Sequence, residues 1–192
     1  MTEMYQRYQQ HLTTPSDIQH HLPLLFSLAR GNVLELGTRS GVSTAALLAG
    51  VERSKGHVWS VDIEDCSKVA EGHPLWTFVQ GDSTDPTLVF RFNKDMDTDK
   101  MFGLILIDTF HTFEQASKEL SLWFDQVLPG GTICMHDTET FPGVRRAAQE
   151  FADAHGWPIV FVLPCHGMAV ITRPMEGVSA EGSSWAMEEA YV

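Results

Sequence analysis

Five apolar stretches of this chain, Val33–Leu36, His57–Asp62, Trp76–Gln80, Leu104–Asp108 and Thr132–His136, each finish in residues that can bind or activate a ligand. The first runs into Gly37-Thr38-Arg39-Ser40-Gly41, where two glycines bring bare backbone close to a ligand and aim helix N–H groups at it. Glu35, inside that stretch, is a carboxylate at a buried β position and needs a cationic or hydrogen-bonding partner. A ligand carrying an ammonium group, a carboxylate and a ribose would satisfy these features. Asp62 ends the second stretch roughly 20 residues after the glycine turn, where an acid can accept from both ribose hydroxyls. Its alternative role is to cap the following segment. Gly81-Asp82-Ser83 follows the third stretch, and Asp82 can either accept from an adenine amino group or close the turn before Thr84-Asp85-Pro86. Asp108 ends the fourth with His111 just beyond it, and His136-Asp137-Thr138 ends the fifth. The spacing Gly37-x-x-x-Gly41 argues against a nicotinamide dinucleotide, which requires G-x-G-x-x-G.

Positioning these residues calls for an alternating α/β fold. Helices are expected over Val42–Glu52, Ser67–Gly72, Pro86–Asn93, Phe113–Val127 and Gly143–His155, with two further strands at Ile159–Leu163 and Met168–Thr172. Thr14-Pro15 reads as a cap followed by proline at the first helical position, opening a helix to about Arg30 with Gly31 as its stop. The helix after Asp108 is the best marked. Thr112-x-x-Gln115 fits a capping box, Phe113, Ala116, Leu120, Trp123, Phe124 and Val127 recur at helical spacing, and Pro129-Gly130-Gly131 ends it. The alternation predicts a parallel sheet with helices on both faces. The short link Pro164–Gly167 cannot make a parallel crossover, so the final strand should run antiparallel.

With 192 residues, 43% of them hydrophobic, the chain can bury one full core, and a single domain over 1–192 is expected. Residues 1–31 would form a helical cover and 174–192 a loose tail, whose Trp185 and Tyr191 could dock on a second copy in a homodimer. The net charge of −12 disfavours nucleic acid as a partner. Cys66, Cys134 and Cys165 lie far apart, which points to a reducing compartment and excludes zinc-ribbon chemistry. No stretch reaches membrane-spanning length, and the expected location is cytoplasmic.

Taken together, Glu35-Leu-Gly-Thr-Arg-Ser-Gly41, Asp62 and Gly81-Asp82 resemble, in order and spacing, the class I S-adenosylmethionine-dependent methyltransferases. The resemblance runs from Val33 to about Thr172. It implies a Rossmann-like three-layer sandwich around a seven-stranded, mostly parallel sheet of order 3-2-1-4-5-7-6, the last strand antiparallel. It also implies that Glu35, Gly37, Thr38, Arg39, Ser40, Gly41, Ser43, Asp62, Ile63, Gly81, Asp82, Ser83 and Asp108 bind S-adenosyl-L-methionine. Arg39 replaces the family's central glycine, as in small-molecule O-methyltransferases with a Gly-Thr-x-x-Gly turn.

The fourth and fifth strand ends resemble those of the metal-dependent small-molecule O-methyltransferases, of catechol, caffeoyl-coenzyme A and sugar or antibiotic-tailoring types. That implies a divalent cation, Mg²⁺ or Mn²⁺, held by Asp108 and Asp137 with His136 beside them, and a small hydroxylated acceptor. His136 stands where some relatives carry an acid, which tilts the site towards Mn²⁺, Fe²⁺ or Zn²⁺. Asp108 and His111 are the candidate catalytic residues, His111 as general base because imidazole titrates near neutral pH. The alternatives stay open: His111 as a backbone-bonded residue at the helix start, and His136 as a buried imidazole bonded to Asp137. Other functions remain in view: methylation of nitrogen or a macromolecule, hydroxylation on the same scaffold, and cofactor binding without turnover. His20-His21 reads as surface, and His166 shows no carboxylate company.

Overall fold

The computed structural model describes residues 2–95 and 101–175. Its elements in chain order are α1 (Glu3–His11), α2 (Leu22–Leu28), β1 (Asn32–Leu36), α3 (Val42–Val51), β2 (His57–Asp62), β3 (Trp76–Gln80), α4 (Pro86–Asp95), β4 (Phe102–Ile107), α5 (Phe113–Trp123), β5 (Val127–His136), α6 (Pro142–His155), β6 (Ile159–Val162) and β7 (Met168–Thr172). The seven strands form one sheet of order β3-β2-β1-β4-β5-β7-β6. β7 is antiparallel to both β5 and β6, and the remaining pairings are parallel, as expected.

Strand residues alternate between two apolar layers. Leu34, Leu36, Ile105, Ile107, Ile133 and Met135 pack against α4, α5 and α6. Val33, Val58, Leu104, Leu106 and Cys134 pack against α1, α2 and α3. Burial on both faces explains why the central strands are continuous Val/Ile/Leu runs rather than alternating ones. No helix among the described residues is long and apolar enough to cross a membrane.

Several expectations are corrected. The helix opening at Thr14-Pro15 does not form; instead α1 ends at His11, and a 3₁₀ turn at Gln19–His21 leads into α2. Thr14 spends its hydroxyl on the Gln10 carbonyl, so it closes α1 rather than capping a new helix. Residues 67–72 are turns, too short and too rich in local side-chain bonds, such as Asp65 to the Ser67 amide, to sustain a helix. α5 stops at Trp123, and Pro129-Gly130-Gly131 lies inside β5 instead of ending the helix. The capping box is half made: the Thr112 hydroxyl accepts from the Gln115 amide N–H at 3.2 Å, but the Gln115 side chain reaches Glu119 instead of turning back. Trp185 and Tyr191, offered as docking residues, lie outside the described residues, as does the tail beyond residue 175.

Candidate active site

The carboxyl ends of β1, β2, β3 and β4 open into a cavity of about 410 Å³. A second, of about 300 Å³, lies between the β1–α3 turn and the chain segment Ser16–Ile18. Gly37, Arg39 and Asp108 line both. Gly37 has φ of +95°, and a Cβ there would collide with the Asp108 carbonyl, so only glycine lets β1 and β4 converge at this point. Gly41 has φ of +80° and lines neither cavity; it starts α3 where a side chain would strike Val69.

Glu35 is fully buried and lines neither cavity. Ser43 donates to its Oε1 at 2.6 Å, and Thr44 and Ser60 donate to Oε2 at 2.8 and 2.5 Å. Trp76 Nε1 in turn donates to the Ser60 hydroxyl. Burial pushes the Glu35 carboxyl up, the three hydroxyls pull it back, and the balance lies at about 7. Each hydrogen bond to a charged group contributes about 1.5–3 kcal/mol, so the three offset only part of a burial cost of several kcal/mol, and the carboxyl stays above its ordinary value. Glu35 therefore acts through Ser43, which does line the second cavity.

Asp62 lines the first cavity, and its carboxylate clamps the glycine turn. Oδ2 accepts from the Thr38 and Arg39 amides at 2.8 and 3.0 Å, and Oδ1 from the Glu64 amide. Burial works against its charge, but these three donors outweigh it and hold the pKa below the usual carboxylate range. Ile63, Gly81, Asp82 and Ser83 line the same cavity. Asp82 has one oxygen engaged by the Thr84 amide and hydroxyl, so it also closes the turn into α4. Thr38, Ser40 and Ser43 line the second cavity, and the buried hydroxyls of Thr38 and Ser16 have no hydrogen-bond partner among the described residues. The Arg39 guanidinium pairs with Asp17 at 3.1 Å across the mouth of this cavity.

Asp108 leads from the cavities to a cluster of charge. Asp108, His111 and Asp137 each place a ligand atom within 4.8 Å of the other two. His111 Nε2 stands 2.8 Å from Asp137 Oδ2 and 3.7 Å from Asp108 Oδ1. Those two carboxylates raise His111 to about 9. His136 is buried behind them, with Nδ1 3.4 Å from both acids and Nε2 3.0 Å from the Cys165 carbonyl. Nε2 must donate to that carbonyl, so Nδ1 carries a second proton when it faces two carboxylates. Burial would lower the pKa of His136, but the bonds and charges of Asp108 and Asp137 override it and raise it to about 10. The same contacts hold both aspartates below the ordinary value, against the effect of burial. The His111 ring also stacks on Phe141, with centroids 4.4 Å apart.

Two histidines set aside in the sequence belong to this cluster. His21 is fully buried, not on the surface; its Nε2 lies 3.2 Å from the same Cys165 carbonyl, and its ring meets His136 edge-on at 5.6 Å. His166 has carboxylate company after all, with Nδ1 3.3 Å from Asp137 Oδ1. His166 lies in the β6–β7 link, where Cys165, His166 and Gly167 all have positive φ, and His21 reaches that link from the 3₁₀ turn before α2. The signal for His166 was present: a final antiparallel strand puts that link at the carboxyl edge of the sheet. Glu119, a buried acid on α5 beside the first cavity, had no such signal.

A seven-stranded sheet of this order, with a glycine turn and an acid at the end of β2, defines the class I S-adenosylmethionine-dependent methyltransferases. The methyltransferase-domain family model matches residues 34–138, more than half of the chain, and the chain belongs to that family. No curated protein matches the sequence. Among solved structures, the MycE methyltransferase of the mycinamycin biosynthetic pathway, in complex with Mg, SAH and mycinamycin VI, superposes with a TM-score of 0.67 at 19% identity. That match covers 91% of this chain and 54% of the other, so this chain spans about half the MycE length. The O-methyltransferase from Bacillus cereus in complex with SAH gives 0.62 at 14% identity, covering 90% and 91% of the two chains. The SAH-bound methyltransferase PaMTH1 of Podospora anserina gives 0.64 at 14%, covering 92% and 89%. At these identities the superpositions establish a shared fold.

Proposed function

We propose that this chain is an O-methyltransferase that transfers the methyl group of S-adenosyl-L-methionine to a small hydroxylated molecule with the help of a divalent cation. The observation that carries the reading is the convergence of Asp108, His111 and Asp137 beside Asp108's own share of both cavities. Nucleoside and amino-acid ends of the donor would occupy the first and second cavity, with Asp62 accepting from the ribose and the unpartnered Thr38 and Ser16 hydroxyls facing the amino-acid portion. The superposed MycE structure holds Mg, SAH and mycinamycin VI, which supports the assignment by analogy.

Two carboxylates with an imidazole beside them fit a divalent cation; Asp108 and Asp137 would hold it, and His111 would face it with its ring nitrogen left free. When bound there, a cation supplies positive charge that lowers the pKa of an acceptor hydroxyl. His136, fixed by the Cys165 carbonyl, holds both aspartates in place. His111 keeps its proton only while both acids press on it; with those acids engaged elsewhere it is free to take the acceptor's proton. Phe141 stacks on His111 and fixes its ring plane.

A methyl-transfer assay on catechols, sugars and polyketide glycosides, with and without EDTA, tests the reading. Turnover that is lost in EDTA and returns with Mg²⁺ or Mn²⁺ is expected. Full activity in EDTA would remove the cation, and absence of SAH binding would remove the cofactor.

A further inference from the structure

β5 ends at His136, which pairs with Met168 of β7, and Asp137 follows directly. Consecutive side chains of a strand point to opposite faces of its sheet. Here they do not. His136 Nδ1 stands 3.4 Å from both Asp108 Oδ1 and Asp137 Oδ2, and Asp137 Oδ2 stands 2.8 Å from His111. Both side chains join one cluster because the chain leaves the strand conformation at Asp137, whose φ is +66°. A residue other than glycine keeps such a conformation only where its surroundings hold it there.

The β6–β7 link supplies that hold. The His166 carbonyl accepts from the Glu139 amide at 2.7 Å and from the Thr140 amide at 3.4 Å. The Gly167 carbonyl accepts from the Thr138 amide at 3.4 Å. These bonds carry the β5–β7 pairing past the end of the strand and pin the turn that begins at Asp137. The carbonyl of Cys165 fixes His136 at 3.0 Å. The close approach depends on Gly167, whose φ is +80°. A Cβ there would stand 2.8 Å from both the Glu139 amide nitrogen and the Thr138 hydroxyl oxygen. Cys165, His166 and Gly167 line neither cavity.

We infer that Gly167 is a positioning residue: through the main chain of the β6–β7 link it turns Asp137 towards Asp108 and so sets the affinity of the site for a divalent cation. This rests on the reading of Asp108 and Asp137 as cation ligands. Two carboxylates share a cation only at a fixed separation, and groups behind the ligands that fix it account for about 10- to 100-fold in metal affinity. A side chain at Gly167 would drive the Thr138–Glu139 backbone off the link, and Asp137 would relax towards the strand conformation that aims it at the other face. The His166 ring, half-exposed, is the outlying part of this device.

Titration of Mn²⁺ into the intact chain, with free Mn²⁺ read by electron paramagnetic resonance, tests it beside calorimetry with S-adenosyl-L-homocysteine. Gly167→Ala should weaken Mn²⁺ at least about 10-fold, as expected for a lost outer support of a ligand. Its affinity for S-adenosyl-L-homocysteine should change less than about 3-fold. Glu139→Pro, at an exposed turn position, deletes the amide that bonds the His166 carbonyl. It should show the same split, and covers the case in which Gly167→Ala does not fold. Two controls should hold Mn²⁺ within about 3-fold of the unmodified chain. Glu139→Ala keeps the amide and loses only the carboxylate paired with Arg145. Gly156→Ala puts a side chain at φ of +65°, with open space around it, at the end of α6. A merely structural role would weaken Mn²⁺ and S-adenosyl-L-homocysteine alike. Equal losses of the two, Mn²⁺ affinity unchanged in either folded variant, or a loss in a control as large as in Gly167→Ala overturns the inference while the cation site stands. Absence of Mn²⁺ binding by the unmodified chain overturns it together with the cation reading.

Discussion

The two ends of the crevice solve the same problem, a buried carboxylate, in opposite ways. At the nucleoside end burial raises the Glu119 carboxyl, and only neutral groups, two hydroxyls and a carboxamide, meet it. At the reacting end Asp108 and Asp137 face His111 and His136, so their charge is met by protons that can leave. A neutral network cannot exchange its partners without orphaning them, and suits recognition. An acid–imidazole cluster can trade protons for a cation or for an acceptor hydroxyl, and suits chemistry.

The sharpest break comes from the reacting end. Asp137→Asn should lower the methyl-transfer rate by about 10³-fold, the size of losing a preorganised electrostatic contact, with SAH affinity changed less than about 3-fold. Steady-state assays beside calorimetry measure the split. An equal loss of both would erase the contrast between the two ends.

Next in size is Asp62→Ala. It removes the acceptor that clamps the Thr38 and Arg39 amides and lines the nucleoside cavity. SAH affinity should fall by about 100-fold, the equivalent of one or two charge-assisted hydrogen bonds, read by calorimetry. Unchanged affinity would place the nucleoside elsewhere.

A third test concerns Glu35. Its folded pKa of about 7 lies above the ordinary 4.5, so the folded state binds more protons than the unfolded one between those values. The protonated carboxyl contributes stability that is fully present below about pH 4.5 and lost as pH rises to about 7. The urea midpoint of the unmodified chain should therefore fall across that window relative to Glu35→Gln. Parallel profiles would contradict the raised value.

The smallest effect belongs to His166, half-exposed beside Asp137. His166→Ala should change stability by no more than about 1 kcal/mol, as for exposed ion pairs, measured by urea unfolding. A larger loss would make the His166 ring part of the core of the cluster.

Strand order and the acids at strand ends were legible because each depends on local pattern: apolar runs buried on both faces, glycines at required turns, and a short final link. The N-terminal segment was not. Thr14-Pro15 has the residues of a helix start, but the segment Ser16–Ile18 is held by contacts over the cavity and to Cys165, far away in sequence. His21 was misread for the same reason, since its burial depends on a hairpin more than 140 positions later. Glu119 sits on the helix stripe between Ala116 and Leu120, and an acid there looks solvent-facing until the wall of the first cavity folds against it.

The most direct measurement is a crystal structure of the chain soaked with S-adenosyl-L-homocysteine and Mn²⁺, with anomalous data at the manganese edge. The account predicts the nucleoside between Gly37 and Gln115 with its ribose hydroxyls on Asp62, and an anomalous peak among Asp108, His111 and Asp137. Nucleoside density outside this crevice, or manganese bound away from those three residues, would contradict it.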